Sequence, residues 1–181
     1  MTGKESTLSS NSVSPHVALA LASVDAYVRC GTIIEVPAGT PAELVNARAG
    51  AFVCLKRDGH LRGCIGTIEP TKACLAEEII SNAIGAATQD PRFLPVEISE
   101  LEGLQCSVDV LSPAEEVHDL RELDPKRYGV IVRNGMRRGL LLPDLEGVDT
   151  VEEQIEIARQ KAFIGSAEPV KLYRFEVIRH H

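Results

Sequence analysis

The chain has no tryptophan, and its three tyrosines and four phenylalanines amount to only 4% aromatic content. Its core must therefore be built from aliphatic side chains. It has no apolar run near the roughly 20 residues that a membrane helix needs, and its first residues lack the charged-then-apolar pattern of a secretory signal. Basic residues are short as well: 19 Lys and Arg stand against 26 Asp and Glu, a net charge of −7. Phosphate backbones reward clustered cations through counterion release, so this balance disfavours nucleic acid binding. None of the five cysteines, Cys30, Cys54, Cys64, Cys74 and Cys106, belongs to a C-x-x-C pair. An odd and scattered set points to reduced thiols and a cytoplasmic location. Zinc needs clustered Cys and His ligands, and His16, His60 and His118 lie far apart. No metal and no cofactor is expected.

A repeated turn signature organises what is present. Residues 57–63 read RDGHLRG, and 76 positions later residues 133–139 read RNGMRRG. Each copy lies between apolar runs. Asp-Gly and Asn-Gly in that setting signal a two-residue type I′ turn, because both central residues need positive φ. Two β-hairpins follow. After the first, Thr71 to about Thr88 carries an apolar stripe at helical spacing through Leu75, Ile79, Ala83 and Ala87. The segment Asp90-Pro91-Arg92-Phe93-Leu94-Pro95 is held extended by its two prolines, and residues 104–111 alternate as a strand. After the second hairpin, Thr150 and Glu153 form a capping box for a helix, and residues 170–178 alternate as a closing strand.

The unit hairpin, helix, strand is thus used twice, over about 51–111 and 128–178. Helices segregated from largely antiparallel strands make an α+β fold. Residues 1–14 are polar and read as a disordered leader, so the folded domain spans 15–179, opening with a helix from Pro15 to Cys30. Comparison of the copies isolates one difference: Leu140 fills the slot of Cys64, and Leu142 that of Gly66.

The stretch Leu61-Arg62-Gly63-Cys64-Ile65-Gly66-Thr67 resembles the signature of the AMMECR family, named for the Alport syndrome, midface hypoplasia and elliptocytosis chromosomal region. Gly50-Ala51-Phe52-Val53, Asn82-Ala83, Asp90-Pro91-Arg92-Phe93, Val110-Leu111-Ser112-Pro113, Gly139-Leu140-Leu141-Leu142-Pro143 and Lys161-Ala162 resemble its other motifs, in its order. Phe163 departs from it, standing where a glycine is common. The resemblance implies two subdomains with a cleft that carries Arg62-Gly63-Cys64-Ile65-Gly66. It also implies similarity to the A component of the AmmeMemoRadiSam system, with a Memo-like metalloprotein and a radical-SAM protein as partners. It implies no established reaction.

Taking Asp58-Gly59 as the turn pairs Cys54 with Gly63 and Val53 with Cys64. On that register His60, Arg62 and Cys64 share one face, and Cys54 lies on the other. His60 is too far along the strand to serve as a base, about 13 Å from Cys64. Arg62 is near enough to stabilise a thiolate. Gly63 and Gly66 leave the strand uncovered and suggest a groove, and the resemblance adds Arg62, Asn82, Asp90 and Arg92, the polar residues of its motifs, as the other candidate ligand-binding residues; arginine forks suit carboxylate or phosphate. Plainer roles stand beside these. Cys64 is a small core residue or a reactive thiol, Gly63 marks a bulge shared by both hairpins, Asp90 caps a turn, and Arg92 forms a structural ion pair. Lys161 is a surface or interface contact. The functions left open are an accessory protein binding a small anionic ligand or partner segment, an enzyme using Cys64 as an Arg62-activated nucleophile, and a nucleic-acid-binding regulator.

Overall fold

The computed structural model describes residues 13–181. Of the leader expected over 1–14, all but Val13 and Ser14 lies outside the described residues. Ser14 accepts a hydrogen bond from the Val17 N–H and caps α1 (Pro15–Cys30), which Gly31 ends at φ 66°. A short helix, α2 (Ala42–Asn46), lies in the connection that follows. Next come β1 (Ala51–Arg57), β2 (His60–Gly66), α3 (Leu75–Thr88), β3 (Leu104–Leu111) and β4 (Glu115–Val117). The chain continues through β5 (Gly129–Asn134), β6 (Arg137–Leu141), α4 (Val151–Lys161), β7 (Lys171–Phe175) and β8 (Val177–His180).

Two antiparallel sheets result, one ordered β2-β1-β3-β8 and the other β4-β7-β5-β6. Helices α1 and α3 cover one face of the first sheet, and α4 covers one face of the second. The fold is α+β, as expected. In both units a helix lies over a hairpin and a third strand joins the hairpin's first, β3 beside β1 and β7 beside β5.

The segment expected as one closing strand is two. The chain breaks at Glu176, leaving β7 in the second sheet and sending β8 to pair with β3 in the first. Helix α3 starts at Leu75 and not at Thr71. The Thr71 and Lys72 N–H groups donate to the carboxylate of buried Glu78, as do the Thr71 and Thr67 hydroxyls, at 2.6–2.9 Å. These bonds satisfy the segment without helical backbone. The three-residue β4 is too short to show alternation in sequence.

One aliphatic core lies between α1, α3 and the first sheet, another between α4 and the second. The helix-free faces of the two sheets meet around Leu111, Ile131, Leu140 and Phe175, with Phe52 packed against them. Each sheet lends this interface an aromatic ring laid over a cross-strand glycine, Phe52 over Gly66 and Phe175 over Gly129.

Candidate functional site

The site begins with a bulge. Asp58 and Gly59 form the turn with φ of 51° and 78°, as expected for type I′. Arg57 then pairs with His60 and Lys56 with Leu61, but Leu55 pairs with Gly63 and Cys54 with Cys64, so Arg62 has no partner. The regular register would set Arg62 opposite fully buried Leu55, beneath α3. The bulge ejects the guanidinium from that apolar face. It also brings Gly63 to the face where a side chain cannot fit, since a Cβ there would lie 2.0 Å from the Ala86 carbonyl oxygen. Two expectations are overturned: Cys54 and Cys64 share a face, and Arg62 does not lie beside Cys64.

Arg62 instead clamps the rigid loop. Its Nε and Nη2 donate to both carboxylate oxygens of Glu100 at 2.7 and 2.8 Å, and its Nη1 and Nη2 to the carbonyls of Leu94 and Pro95. The guanidinium holds the Glu100 carboxyl down to about 2. Gly63 is used for helix contact and Gly66 lies under the Phe52 ring, so neither leaves an open groove. Asn82 is buried, donating to the Ala51 carbonyl at 2.9 Å and to the Thr67 hydroxyl at 3.3 Å. These four residues build the scaffold.

Asp90 and Arg92 do reach Cys64. Asp90 is 5% exposed, and its Oδ2 accepts from the Cys64 N–H at 2.9 Å and from Arg92 Nη2 at 2.7 Å. Its Oδ1 accepts from the Arg92 N–H and Nε. Bonding by Arg92 holds the Asp90 carboxyl far below the usual range, against the effect of burial. Strand β2 is the sheet edge, so Asp90 satisfies an edge N–H that β1 does not.

Residues that sequence reasoning missed complete the surroundings. Cys54 and Cys64 lie across from each other, both half-buried and free. On the same face Asp109 accepts from Arg179 Nε at 2.8 Å and Nη2 at 3.0 Å. Lys161, at the end of α4, brings a cation from the second unit into the field of Cys64 and Arg92, and burial lowers its pKa. The thiol pair loses its first proton easily: the remaining S–H bonds to the thiolate, and against the cost of burial Lys56 and Arg179 help bring Cys54 down to about 7. The second proton is held far above the ordinary thiol range, because the bond to Cys54 and burial both resist its loss. The anionic neighbours Asp90 and Asp109 are each already forked to an arginine. Lys56 and Lys161 have no ion-pair partner among the described residues.

No sequence signal linked these groups. Cys54 was hidden by the bulge, and Arg179 and Lys161 come from distant elements. A cavity of about 650 Å³ lies elsewhere, lined by Tyr27, Ile33, Ile80 and Ile84. It is open and mostly apolar and holds no thiol or cation pair of this kind. Among the described residues no His, Cys, Asp or Glu cluster could hold a metal ion, and no helix is long and apolar enough to cross a membrane.

Two face-packed antiparallel sheets, with paired thiols at one sheet edge and cations from both units near them, define an α+β protein. The chain belongs to the AMMECR1 family, whose model matches residues 17–180. It is 58% identical to a protein of Thermotoga maritima over 92% of this chain and 97% of that one. It is 51% identical to protein CA_C1420 of Clostridium acetobutylicum, of which it spans only 36%. The fold is that of the crystal structure of uncharacterized protein PH0010 from Pyrococcus horikoshii, with a TM-score of 0.83 at 35% identity, covering 91% of this chain and 88% of that one.

Proposed function

We propose that a cleft at Cys64, as the family resemblance implies, binds a small anionic molecule, or an anionic segment of a partner, with Asp90 and Arg92 shaping its edge and Lys161 and Lys56 supplying unpaired charge. The observation that carries this reading is local: in a chain of net charge −7, the thiol pair is flanked by cations that no carboxylate neutralises. Carboxylate or phosphate supplies the missing charge. The protein serves in the cytoplasm as an accessory component of a metal-dependent modification system, alongside a Memo-like metalloprotein and a radical-SAM protein. That assignment follows the resemblance of its motifs to the A component of such systems. Nucleic acid fits poorly, because the cations are few and the chain carries a net charge of −7.

A second reading is favoured by one specific observation, the thiol pair's ready loss of its first proton. Cys64 then acts as a nucleophile on the bound molecule, activated by Cys54, Arg92 and Lys161 and not by Arg62. Untargeted metabolite profiling of wild-type, deletion and Cys64→Ser strains tests the site. The deletion and Cys64→Ser should accumulate the same anionic precursor. A Cys64→Ser profile matching wild type, beside a perturbed deletion, would remove Cys64 from the function.

A further inference from the structure

The ligand-binding reading uses one thiol, yet the bulge sets two side by side. Their pairing type follows from the hydrogen bonds. The Thr67 N–H donates to the Ala51 carbonyl at 3.0 Å, and the Cys64 N–H points out of the sheet to Asp90 at 2.9 Å. Stepping along the ladder, Cys54 and Cys64 form a non-hydrogen-bonded pair, the class in which facing side chains lie closest, with Cα atoms about 4.5 Å apart. That spacing falls within the range a disulfide spans. Both thiols are free and half-buried. Cys106 does not compete: it pairs with Leu55 and so faces α3, and burial first, then Cys54, pushes its thiol up to about 12.

We propose that Cys54 and Cys64 form a dithiol–disulfide centre that exchanges with small disulfide compounds entering the cleft. The inference rests on the reading of this cleft as the working site. Cys64, on the edge strand, attacks first, passing its proton across their hydrogen bond to the Cys54 thiolate. Its sulfur bonds to one sulfur of the incoming disulfide, whose S–S bond breaks, and the first thiol leaves with a proton from solvent. Cys54 then gives up the proton it took as it attacks Cys64 Sγ, breaking the mixed disulfide and expelling the second thiol, which carries that proton away. The protein dithiol is oxidised by two electrons to a disulfide, and the compound is reduced to two thiols. Arg92, Lys161 and Arg179 stabilise the thiolates that attack and leave.

The probe is glutathione disulfide, applied to the full native chain carrying Cys30→Ser and Cys74→Ser, with products read by intact and peptide mass. The native pair should lose the mass of two hydrogens as a Cys54–Cys64 bridge and hold little glutathione. Cys54→Ser should instead trap a stable glutathione adduct on Cys64, and Cys54→Val, an apolar replacement close to cysteine in size, should do the same. Cys64→Ser should leave Cys54 largely unmodified. A lasting adduct on Cys64 with Cys54 intact, or no reaction at either thiol before unfolding, overturns the redox centre. If Cys64→Ser still disturbs the metabolite profile in that case, the binding site stands and only the dithiol inference falls. A bridge that forms while Cys64→Ser leaves metabolism unchanged would sink the site reading and keep the chemistry.

Discussion

Hairpins β1–β2 and β5–β6 press a glycine against a helix in the same way, yet only the first sets two thiols side by side with Asp90 bonded to its edge. A Cβ on Gly63 would meet the Ala86 carbonyl oxygen at 2.0 Å, and one on Gly139 would meet that of Ala158 at 1.9 Å. The route to this contact differs by one residue. In β5–β6 the turn is Gly135-Met136 and not the expected Asn134-Gly135: Asn134 pairs with Arg137 inside the ladder, and only Gly135, at φ 58°, has positive φ. Gly139 therefore reaches the helix face in a regular register, and Leu140 is buried between the sheets. In β1–β2 the turn stays on Asp58-Gly59, so Gly63 reaches its helix only through the bulge. Displaced Arg62 then fixes the loop that holds Asp90 and Arg92, and Cys64 lands opposite Cys54. One misplaced residue in a turn, absorbed by a bulge, separates a site from a core.

The strongest challenge to this comparison is Gly→Ala at the shared contact. Gly63→Ala and Gly139→Ala should each cost about 3 kcal/mol, at the upper end of overpacking, because backbone oxygens cannot move aside. Chemical denaturation should show similar losses in both, and a small loss in either would break the equivalence. Gly66→Leu belongs with them. Leu142 fills the matching slot of the second hairpin, but in the first an added Cβ would meet the Phe52 ring at 2.3 Å and the Ala51 carbonyl oxygen at 2.6 Å. A cost of about 2 kcal/mol is expected.

A second contrast lies at the fourth residue of each helix, Glu78 in α3 and Gln154 in α4. Both are buried, but Gln154 makes one bond, to the Tyr128 carbonyl, while Glu78 holds the loop from Thr67 to Lys72. Glu78→Gln should cost about 2 kcal/mol, because an amide cannot accept from all those donors. Burial alone would raise the Glu78 pKa, but the bonds from Thr67, Lys72 and Thr71 win and lower it. Its contribution is thus complete above the ordinary glutamate pKa and is lost as pH falls toward the folded value. Acid titration of Glu78→Gln should show a flatter limb than wild type, and an unchanged limb would contradict the assignment.

A smaller effect separates the arginines of the two turns. Arg62 makes bonds to Glu100, Leu94 and Pro95, while Arg138 at the matching position meets only exposed Glu69, at 3.3 Å. Arg62→Ala should cost about 1.5 kcal/mol and Arg138→Ala less than about 0.5 kcal/mol. Equal losses in thermal denaturation would deny Arg62 its clamping role.

The hairpins, the capping box at Thr150 and strand 104–111 were legible because each is local: a turn dipeptide, a side chain reaching three residues on, or simple alternation. The bulge was not. It is set by the distance from turn to helix-facing glycine and by the cost of burying Arg62, and both are tertiary quantities. The misread faces of β2 trace to it, since strand parity carried Arg62 toward Cys64 and Cys54 away. Asp90 and Arg92 were found because they stand in a motif that resembles the family's, though not that Asp90 would bond to the Cys64 N–H. Phe163, where the family commonly has glycine, adopts φ 55° and is exposed, which explains the glycine but not the phenylalanine. Lys161 and Arg179 join the site from elements remote in sequence.

The central claim is that the bulge makes Cys64 one of a hydrogen-bonded pair that loses its first proton easily. The most direct measurement is the rate at which the pair takes its first iodoacetamide, at Cys54 or Cys64, against pH, read by peptide mass in the wild type and in Cys54→Ser. The account predicts a wild-type midpoint near the value of about 7 to which Cys54 is lowered, and a shift upward by about one unit or more toward an ordinary thiol when Cys54 is removed. A single midpoint near about 8.5 in both proteins, or no labelling of either thiol in the folded chain, would contradict it.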